Sequence, residues 1–264
     1  MGKVFVITNR KGGCGKSFTT ANLGFALARQ GKRVLCIDAD NQNSLTVSMG
    51  VSEPDRLPVT IATVITNIIN KNEIDPTAGI IHHAEGVDLM PANSSLTGIE
   101  LTLAPLYGRE IILRKYLNKV KPIYDYCLID TSPTLDILTI NALAAADSAI
   151  IPVTPKFLDA KGLELLLMSI VDIREDINPN LSICGILMTM VDKRTNFTKE
   201  IISMIEAAYG EKIRIFKEHV PHSIRAAESS ATGKSIFTHD PNGKIAMAYN
   251  TLAMDVLTYG EDQR

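Results

Sequence analysis

The stretch "KVFVITNRKGGCGKSFTTANLGFALARQG" (3–31) limits the possible folds more than any other part of the chain. It begins with "KVFVIT", whose run of apolar side chains is that of a strand buried on both faces. A loop with Gly12, Gly13 and Gly15 follows. Then Leu23, Ala26 and Leu27 recur at helical spacing, and Gly31 closes the segment as a helix stop. A strand that passes through a short loop into a helix is the first half of a βαβ unit, whose helix returns the chain to lay down a parallel neighbour.

The alternation continues down the chain. "RVLCIDAD" (33–40), "GVDLMPA" (86–92), "YDYCLIDTSP" (124–133), "DSAIIPVTP" (147–155) and "SICGILMTMVD" (182–192) read as further strands. Residues 100–120 have helical periodicity with an interruption at Pro105, and 160–176 read as a helix between the last two strands. The segment 51–82 is the least regular, suited to loops and short helices. No repeat, low-complexity tract or Pro/Gly/Ser linker divides the chain. The expected fold class is α/β: a single domain over 1–264, with a doubly wound, mostly parallel sheet and helices on both faces.

Composition excludes several function classes. With 264 residues, 45% hydrophobic and 21% charged, the chain can bury a sizeable core. A net charge of -2 gives no global attraction to nucleic acid or anionic lipid, so any polyanion site must be a local patch. Cys14, Cys36, Cys127 and Cys184 form no C-x-x-C pair, and three lie in apolar strand-like runs, which points to reduced thiols in a cytosolic protein. No signal peptide or bilayer-spanning run is present, and the expected location is the cytoplasm.

In such a sheet, ligands bind beyond the carboxyl ends of the strands. Gly12, Gly13 and Gly15 let backbone N–H groups turn inward around an anion, and the following helix offers its free N-terminal N–H groups to it. Within that loop Lys16 suits the β and γ phosphates of a nucleotide, and Ser17 suits a Mg²⁺ ion. Asp130 ends another strand, as a magnesium partner or as a strand-terminal turn residue. Asp38 and Asp40 sit two apart at the end of 33–40. They either serve metal and attacking water or cap the next helix, "NSLTVSMG". The ordinary phosphate-loop pattern wants glycine where this chain has Arg10, and a second lysine, Lys11, precedes Lys16 by five residues.

These residues resemble a known family. "KGGCGKS" matches the deviant Walker A pattern of the ParA/MinD superfamily of P-loop ATPases. "DADNQNSLT" resembles its Asp-x-Asp-Pro-Gln-x-x-x-Thr segment, with Asn41 in place of the usual proline and Thr46 as the closing threonine, and "LIDTSPTLDILTINAL" its Walker B strand and switch. "TMVDKRTNF", "VPHSIRAAES…GKSIF" and "AYNTLAMDVL" resemble later segments of the ParA/Soj branch, so the similarity runs almost the whole chain.

The resemblance implies an ATP-dependent sandwich homodimer with ATP and Mg²⁺ as cofactors. Lys11 would reach the other subunit's phosphates, Lys16 would serve its own nucleotide, and Asp40 would order the nucleophilic water. Ser17, Asp38 and Asp130 would support the Mg²⁺ shell. Gly12, Gly13, Cys14, Gly15 and Phe18 would line the nucleotide, with Met190 and Pro221 near its base. The branch binds DNA without sequence preference and is stimulated by a ParB-like centromere-binding partner, which implies DNA partition and nucleoid association in the ATP-bound state. Arg194 and Arg225 match its DNA-contacting segments. Lys217 and Lys234 are added from charge alone, since 193–234 carries eight Lys/Arg against five Asp/Glu.

Three alternatives are open at this level. The chain ends "TYGEDQR" rather than in the basic amphipathic helix of a MinD-like membrane positioner. Its cysteines do not stand where an iron-protein-like reductase would bridge a cluster. Positioning of another cargo, such as a protein complex or a conjugation apparatus, is equally compatible with the ATPase motifs. Because the first strand starts at the N-terminus, no helix-turn-helix extension is expected, and membrane is not an expected partner.

Overall fold

The computed structural model describes residues 2–73 and 75–262. Its centre is β1 (Lys3–Ile7), flanked by β5 (Tyr126–Thr131) on one side and β6 (Ser148–Val153) on the other. Beyond β5 lie β2 (Val34–Ala39), β4 (Asp88–Met90) and β3 (Ile81–His82); beyond β6 lies β7 (Ser182–Met188). The order β3-β4-β2-β5-β1-β6-β7 is parallel except for the short antiparallel β3 at its edge.

Side-chain alternation along β1 sets the two layers. Val4 and Val6 enter one core with Leu35, Ile37, Cys127 and Ile129, under α3 (Ile61–Ile69), α5 (Ile112–Val120), α6 (Ile137–Ala145) and α7 (Phe157–Asp176). Phe5 and Ile7 enter the other with Cys36 and Leu128, under α1 (Lys16–Arg29), α10 (Ile236–His239) and α11 (Lys244–Asp262). Every residue of β2, β5 and β6 is buried, which is why these strands read as apolar runs instead of alternating. Pro152 is tolerated inside β6 because β1 has ended there: the last β1–β6 pair is Ile7↔Ile150, and the Pro152 carbonyl accepts from the Asn9 side chain at 2.6 Å.

From β1 the chain crosses to β2 over the face carrying α1, and from β5 it crosses to β6 over the opposite face through α6. Between these divergent crossovers a crevice opens at the carboxyl ends of β1, β2 and β5.

The helical reading of 100–120 resolves into α4 (Leu96–Leu103) and α5, parted by a turn in which Gly108 has φ +68°. The segment 51–82 contains the expected short elements, chiefly α3, whose Thr60–Thr63 capping box fixes its start. Also present are α2 (Ser44–Ser48), α8 (Asn196–Tyr209) and α9 (Ile224–Ala231). Of the helices, α6 has no polar stripe: Leu138, Ala142, Leu143 and Ala144 are all buried between the sheet and its neighbours, so its sequence lacks an amphipathic signal.

Helix α1 lies close on the sheet at Gly24, where an added Cβ would stand 2.7 Å from Cys36 Sγ and 3.6 Å from Leu128 Cδ1. Gly24→Val is therefore expected to lower stability by about 2 kcal/mol through overpacking. An unchanged urea midpoint would contradict this contact.

Candidate active site

The loop after β1 is braced from β6 before it turns. Thr8 N–H donates to Ile150 O at 3.2 Å, and Asn9 Oδ1 accepts from Lys11 N–H at 3.0 Å while its amide holds Pro152 O. Gly13 (φ +70°) and Gly15 (φ +86°) occupy the left-handed region that side-chain-bearing residues avoid. Gly15 is also the N-cap of α1, and no side chain caps that end, so the first N–H groups of the helix are open to an anion. An added Cβ at Gly12 would meet nothing within 4 Å, so space lies before the loop rather than protein.

Its two lysines have different surroundings. Lys16 is buried, and its ammonium donates to Lys11 O at 3.2 Å. The Lys11 side chain is 48% exposed, with Nζ 3.6 Å from Asp159 Oδ1. Cys14 is buried; its thiol donates to Lys11 O at 3.3 Å and its carbonyl accepts from Thr189 Oγ1 at 2.8 Å. Burial raises the Cys14 thiol pKa, against the pull of the Lys16 charge. The residue therefore packs the underside of the loop as a small neutral side chain.

Three aspartates from two neighbouring strands meet below. Asp38 and Asp130 are register partners in the β2–β5 pair, and both are fully buried. Asp130 Oδ1 accepts from Thr20 Oγ1 at 3.4 Å, and Oδ2 has no hydrogen-bond partner among the described residues. Burial pushes its pKa well up, with the Asp38 charge adding, while Ser17 and Lys16 act in the opposite direction. Burial also raises Asp38, to about 6, against hydrogen bonds from Thr46 and from the Asp40 N–H.

The capping reading of the Asp38–Asp40 pair has a direct counterpart here. Asp38 Oδ2 accepts from Thr46 N–H (2.8 Å) and Thr46 Oγ1 (2.6 Å), so it caps α2 in place of Asn43, whose side chain makes no cap bond. Asp38 Oδ1 takes the Asp40 N–H at 3.1 Å. Asp38 Oδ2 thus accepts two hydrogen bonds, while Oδ1 accepts one and keeps a lone pair. Asp40 lies just past the strand end, nearly buried, and its Oδ1 accepts from Gln42 N–H at 3.0 Å. The orphaned Asp130 oxygen and the Ser17 hydroxyl above it form a hard oxygen donor set that fits Mg²⁺.

A cavity of about 270 Å³ adjoins the loop, lined by Gly15, Phe18, Met190, Pro221 and Tyr249 among others. Phe18 and Tyr249 pack edge to face at 5.6 Å, and the Tyr249 hydroxyl shares a hydrogen bond with Thr19 Oγ1 at 2.9 Å. Met190 adopts φ +52°, uncommon for a residue with a side chain. The chain there turns back so that Val191 N–H reaches Val220 O at 3.0 Å, which joins the two segments that hold Met190 and Pro221. The cavity suits a flat apolar ring.

The candidate DNA residues are all exposed, and only some converge. Arg194 lines a groove of about 880 Å³ with Lys193, His219, His222 and Lys244, and it pairs with Asp192 at 2.7 Å. Arg225 is the second residue of α9 and pairs with Glu228 at 3.0 Å; Ser223, two residues before it, lines the groove. Lys217 and Lys234 lie outside the groove lining.

Sequence reading missed Asn9, Thr20, Asp159, Thr189 and Tyr249; it placed Thr46 in the Asp38 segment without assigning it a contact. Thr20 had a local signal, since it lies one helical turn after Lys16 on the same face. Asp159 and Thr189 reach the loop only through the fold.

The raised carboxylates have a pH consequence. Between the ordinary aspartate pKa and about 6 the folded protein holds more protons than the unfolded chain, so stability falls as pH rises through that window. Asp130→Asn removes one of the two charges and keeps an acceptor for Thr20. The ligand-free variant is expected to gain about 1–3 kcal/mol at pH 7 and to show a flatter pH dependence. Urea unfolding at pH 5 and pH 7 checks this, and a less stable variant would contradict the charge repulsion.

The family model described as an AAA domain matches residues 2–183. The chain is 36% identical to the sporulation initiation inhibitor protein Soj of Bacillus subtilis, over 98% of this chain and 100% of that protein. It is 32% identical to the chromosome partitioning protein ParA of Caulobacter vibrioides, over 99% of this chain and 96% of that protein. Among solved structures, the ADP- and magnesium-bound cobyrinic acid a,c-diamide synthase of Mycobacterium smegmatis superimposes with a TM-score of 0.86. It is 32% identical, with 100% of this chain and 97% of that chain covered. With its deviant phosphate loop, strand-end aspartates and near-complete coverage of these relatives, the chain belongs to the ParA/Soj branch of the ParA/MinD superfamily of P-loop ATPases.

Proposed function

We propose that this protein is a partition ATPase that hydrolyses ATP with Mg²⁺, pairs with a second copy around the nucleotides and binds DNA without sequence preference while paired. The observation that carries this reading is the buried Lys16 beside an uncapped helix N-terminus, over a buried Asp130 oxygen with no partner among the described residues. That arrangement supplies cationic and N–H groups for a triphosphate and an anionic oxygen for a cation. The relatives' partition function supports the assignment of the cargo as DNA.

In this reading Lys16 and the α1 N–H groups bind the chain's own β and γ phosphates, and the base enters the cavity beside Phe18, Met190 and Pro221. Ser17 and Asp130 hold Mg²⁺, which spreads the negative charge of the phosphates. Asp40 orients the attacking water at the end of β2, and its N–H bond to Asp38 fixes its backbone. The exposed Lys11 reaches the partner subunit's phosphates, an in-trans cation of the kind that raises phosphoryl-transfer rates by roughly 10³–10⁵. A ParB-like protein stimulates hydrolysis and so releases the dimer from DNA.

The ion pairs at Arg194 and Arg225 do not oppose a DNA role, since such exposed pairs contribute only about 0–1 kcal/mol and exchange readily for phosphate. Two outcomes test the proposal. Lys11→Ala should abolish ATP-dependent dimerisation in light scattering, and a normal ATP dimer would sink the in-trans role. Arg225→Glu should keep the dimer but weaken DNA binding, reducing the slope of log K against log salt by about 1 for each phosphate no longer neutralised. Equal binding by that variant at low and moderate salt would remove Arg225 from the DNA surface.

A further inference from the structure

Helix α11 packs its inner face on the α1 layer through Ile245, Ala248, Tyr249, Leu252 and Val256, all buried. Its outer face carries Lys244, Met247, Thr251, Met254, Thr258 and Glu261, all exposed. The intervals alternate between three and four residues, the spacing of a coiled-coil seam. A solvated helix face ordinarily fills such positions with charge. Here the four central ones are uncharged, and Met247 and Met254 are 54% and 52% exposed. Both threonine hydroxyls return to their own helix: Thr251 Oγ1 donates to Met247 O at 3.2 Å and Thr258 Oγ1 to Met254 O at 3.0 Å. Covering the seam therefore leaves no hydroxyl unsatisfied. Asp255, beside the seam, is drawn to Arg214 at 2.5 Å. Lys244 and Glu261, at the two ends, have no ion-pair partner among the described residues.

The seam is complementary to itself. Turned antiparallel about a two-fold axis between Leu252 and Ala253, a second α11 sets Thr251 against Met254, Met247 against Thr258 and Lys244 against Glu261. Uncharged side chains meet along the middle, and an ion pair closes each end. A parallel copy would instead set Lys244 against Lys244 and Glu261 against Glu261. We propose that the outer face of α11 is a self-association surface, which seats the α11 of a second copy of this chain in antiparallel register. It is separate from the pairing through Lys11, which lies beside α7 across the sheet. At about 26 Å long and about 10 Å wide, the seam buries roughly 500 Å² from both copies together. That is under half of the roughly 1,200 Å² at which stable pairs begin, so the contact joins copies already brought close rather than holding a permanent dimer.

Charge exchange tests the arrangement in the ligand-free chain, with neither nucleotide nor DNA present. Glu261→Lys should weaken self-association in sedimentation equilibrium at high protein concentration by about tenfold, since two exposed ion pairs become repulsive contacts. Lys244→Glu combined with Glu261→Lys should restore it, because the exchange rebuilds both pairs. A double variant as weak as Glu261→Lys, or a chain that stays single at every concentration, overturns the proposal. Lys244, Met247 and Thr251 also line the groove that holds Arg194, so DNA is the competing occupant. DNA binding lost in Lys244→Glu and not regained in the double variant, without self-association, would give the face to DNA and overturn the pairing.

Thiol linkage reads the register. Cys14, Cys36, Cys127 and Cys184 are all buried, so Thr251→Cys and Met254→Cys each add one exposed thiol. Mixing the two variants under mild oxidation should link unlike chains in preference to like ones. Linkage of like chains alone overturns the antiparallel seat.

Discussion

Asp38 and Asp130 stand side by side on paired strands, both out of contact with solvent, and one oxygen of Asp130 has no partner among the described residues. Two like charges in that position are tolerated only if protons, cations or dipoles answer them. Much of the crevice is the answer: the Thr46 N–H and hydroxyl on Asp38, the Thr20 hydroxyl on Asp130, and Lys16 from the loop above. Since β2 and β5 are parallel neighbours with full register, the carboxylates cannot separate without breaking the sheet. Their repulsion is built into the fold, and a cation at the Asp130 oxygen would relieve it. A site that is less stable empty than filled couples ligand binding to the order of every element it touches.

The loop above depends on the same sheet end. Because β1 stops at Ile7 while β6 continues to Val153, the β6 backbone past the last β1 pair has free carbonyls, and Asn9 uses one to fix the start of the loop. From there the chain turns through glycines at positive φ and enters α1 uncapped. The two lysines of the loop differ because of this path. Lys16 begins a helix that packs on the sheet and is buried by it, whereas Lys11 lies on the outer rim, half exposed, within reach of α7.

The strand series, the glycine loop and the strand-end aspartates were legible because parallel strands buried on both faces write continuous apolar runs, and the crevice lies where those runs end. Helix α6 was not legible, since it is buried on nearly all sides, Thr139 and Asn141 included, and leaves no exposed polar stripe, nor was β3, whose residue pairs are too few to leave an alternating pattern. At the site, the residue types lying within the motifs could be read, but their partners could not. Thr189 and Asp159 are 175 and 148 residues from the groups they hold, and no local spacing announces such contacts. Asp38 at the strand end was open to two competing readings, and the geometry satisfies the capping one directly.

The apolar cavity beside the phosphate loop and the groove at Arg194 draw on the same two chain segments. After β7, Thr189 holds the Cys14 carbonyl, Met190 lines the cavity, and Arg194 lies only four residues further on, tied back to Asp192. The second segment runs from Val220 and Pro221 at the cavity to Ser223, which caps α9 through the Arg225 N–H. These segments are bonded to each other between Val191 and Val220 and between His222 and Val191. A further tie comes from the aspartate side, where Gly50, just after α2, packs backbone to backbone on Gly233, beside Lys234. An added Cβ at Gly233 would fall 2.5 Å from the Gly50 Cα, so this contact has no slack. The arginine-bearing surface is thus fastened both to the apolar cavity and to the element capped by Asp38.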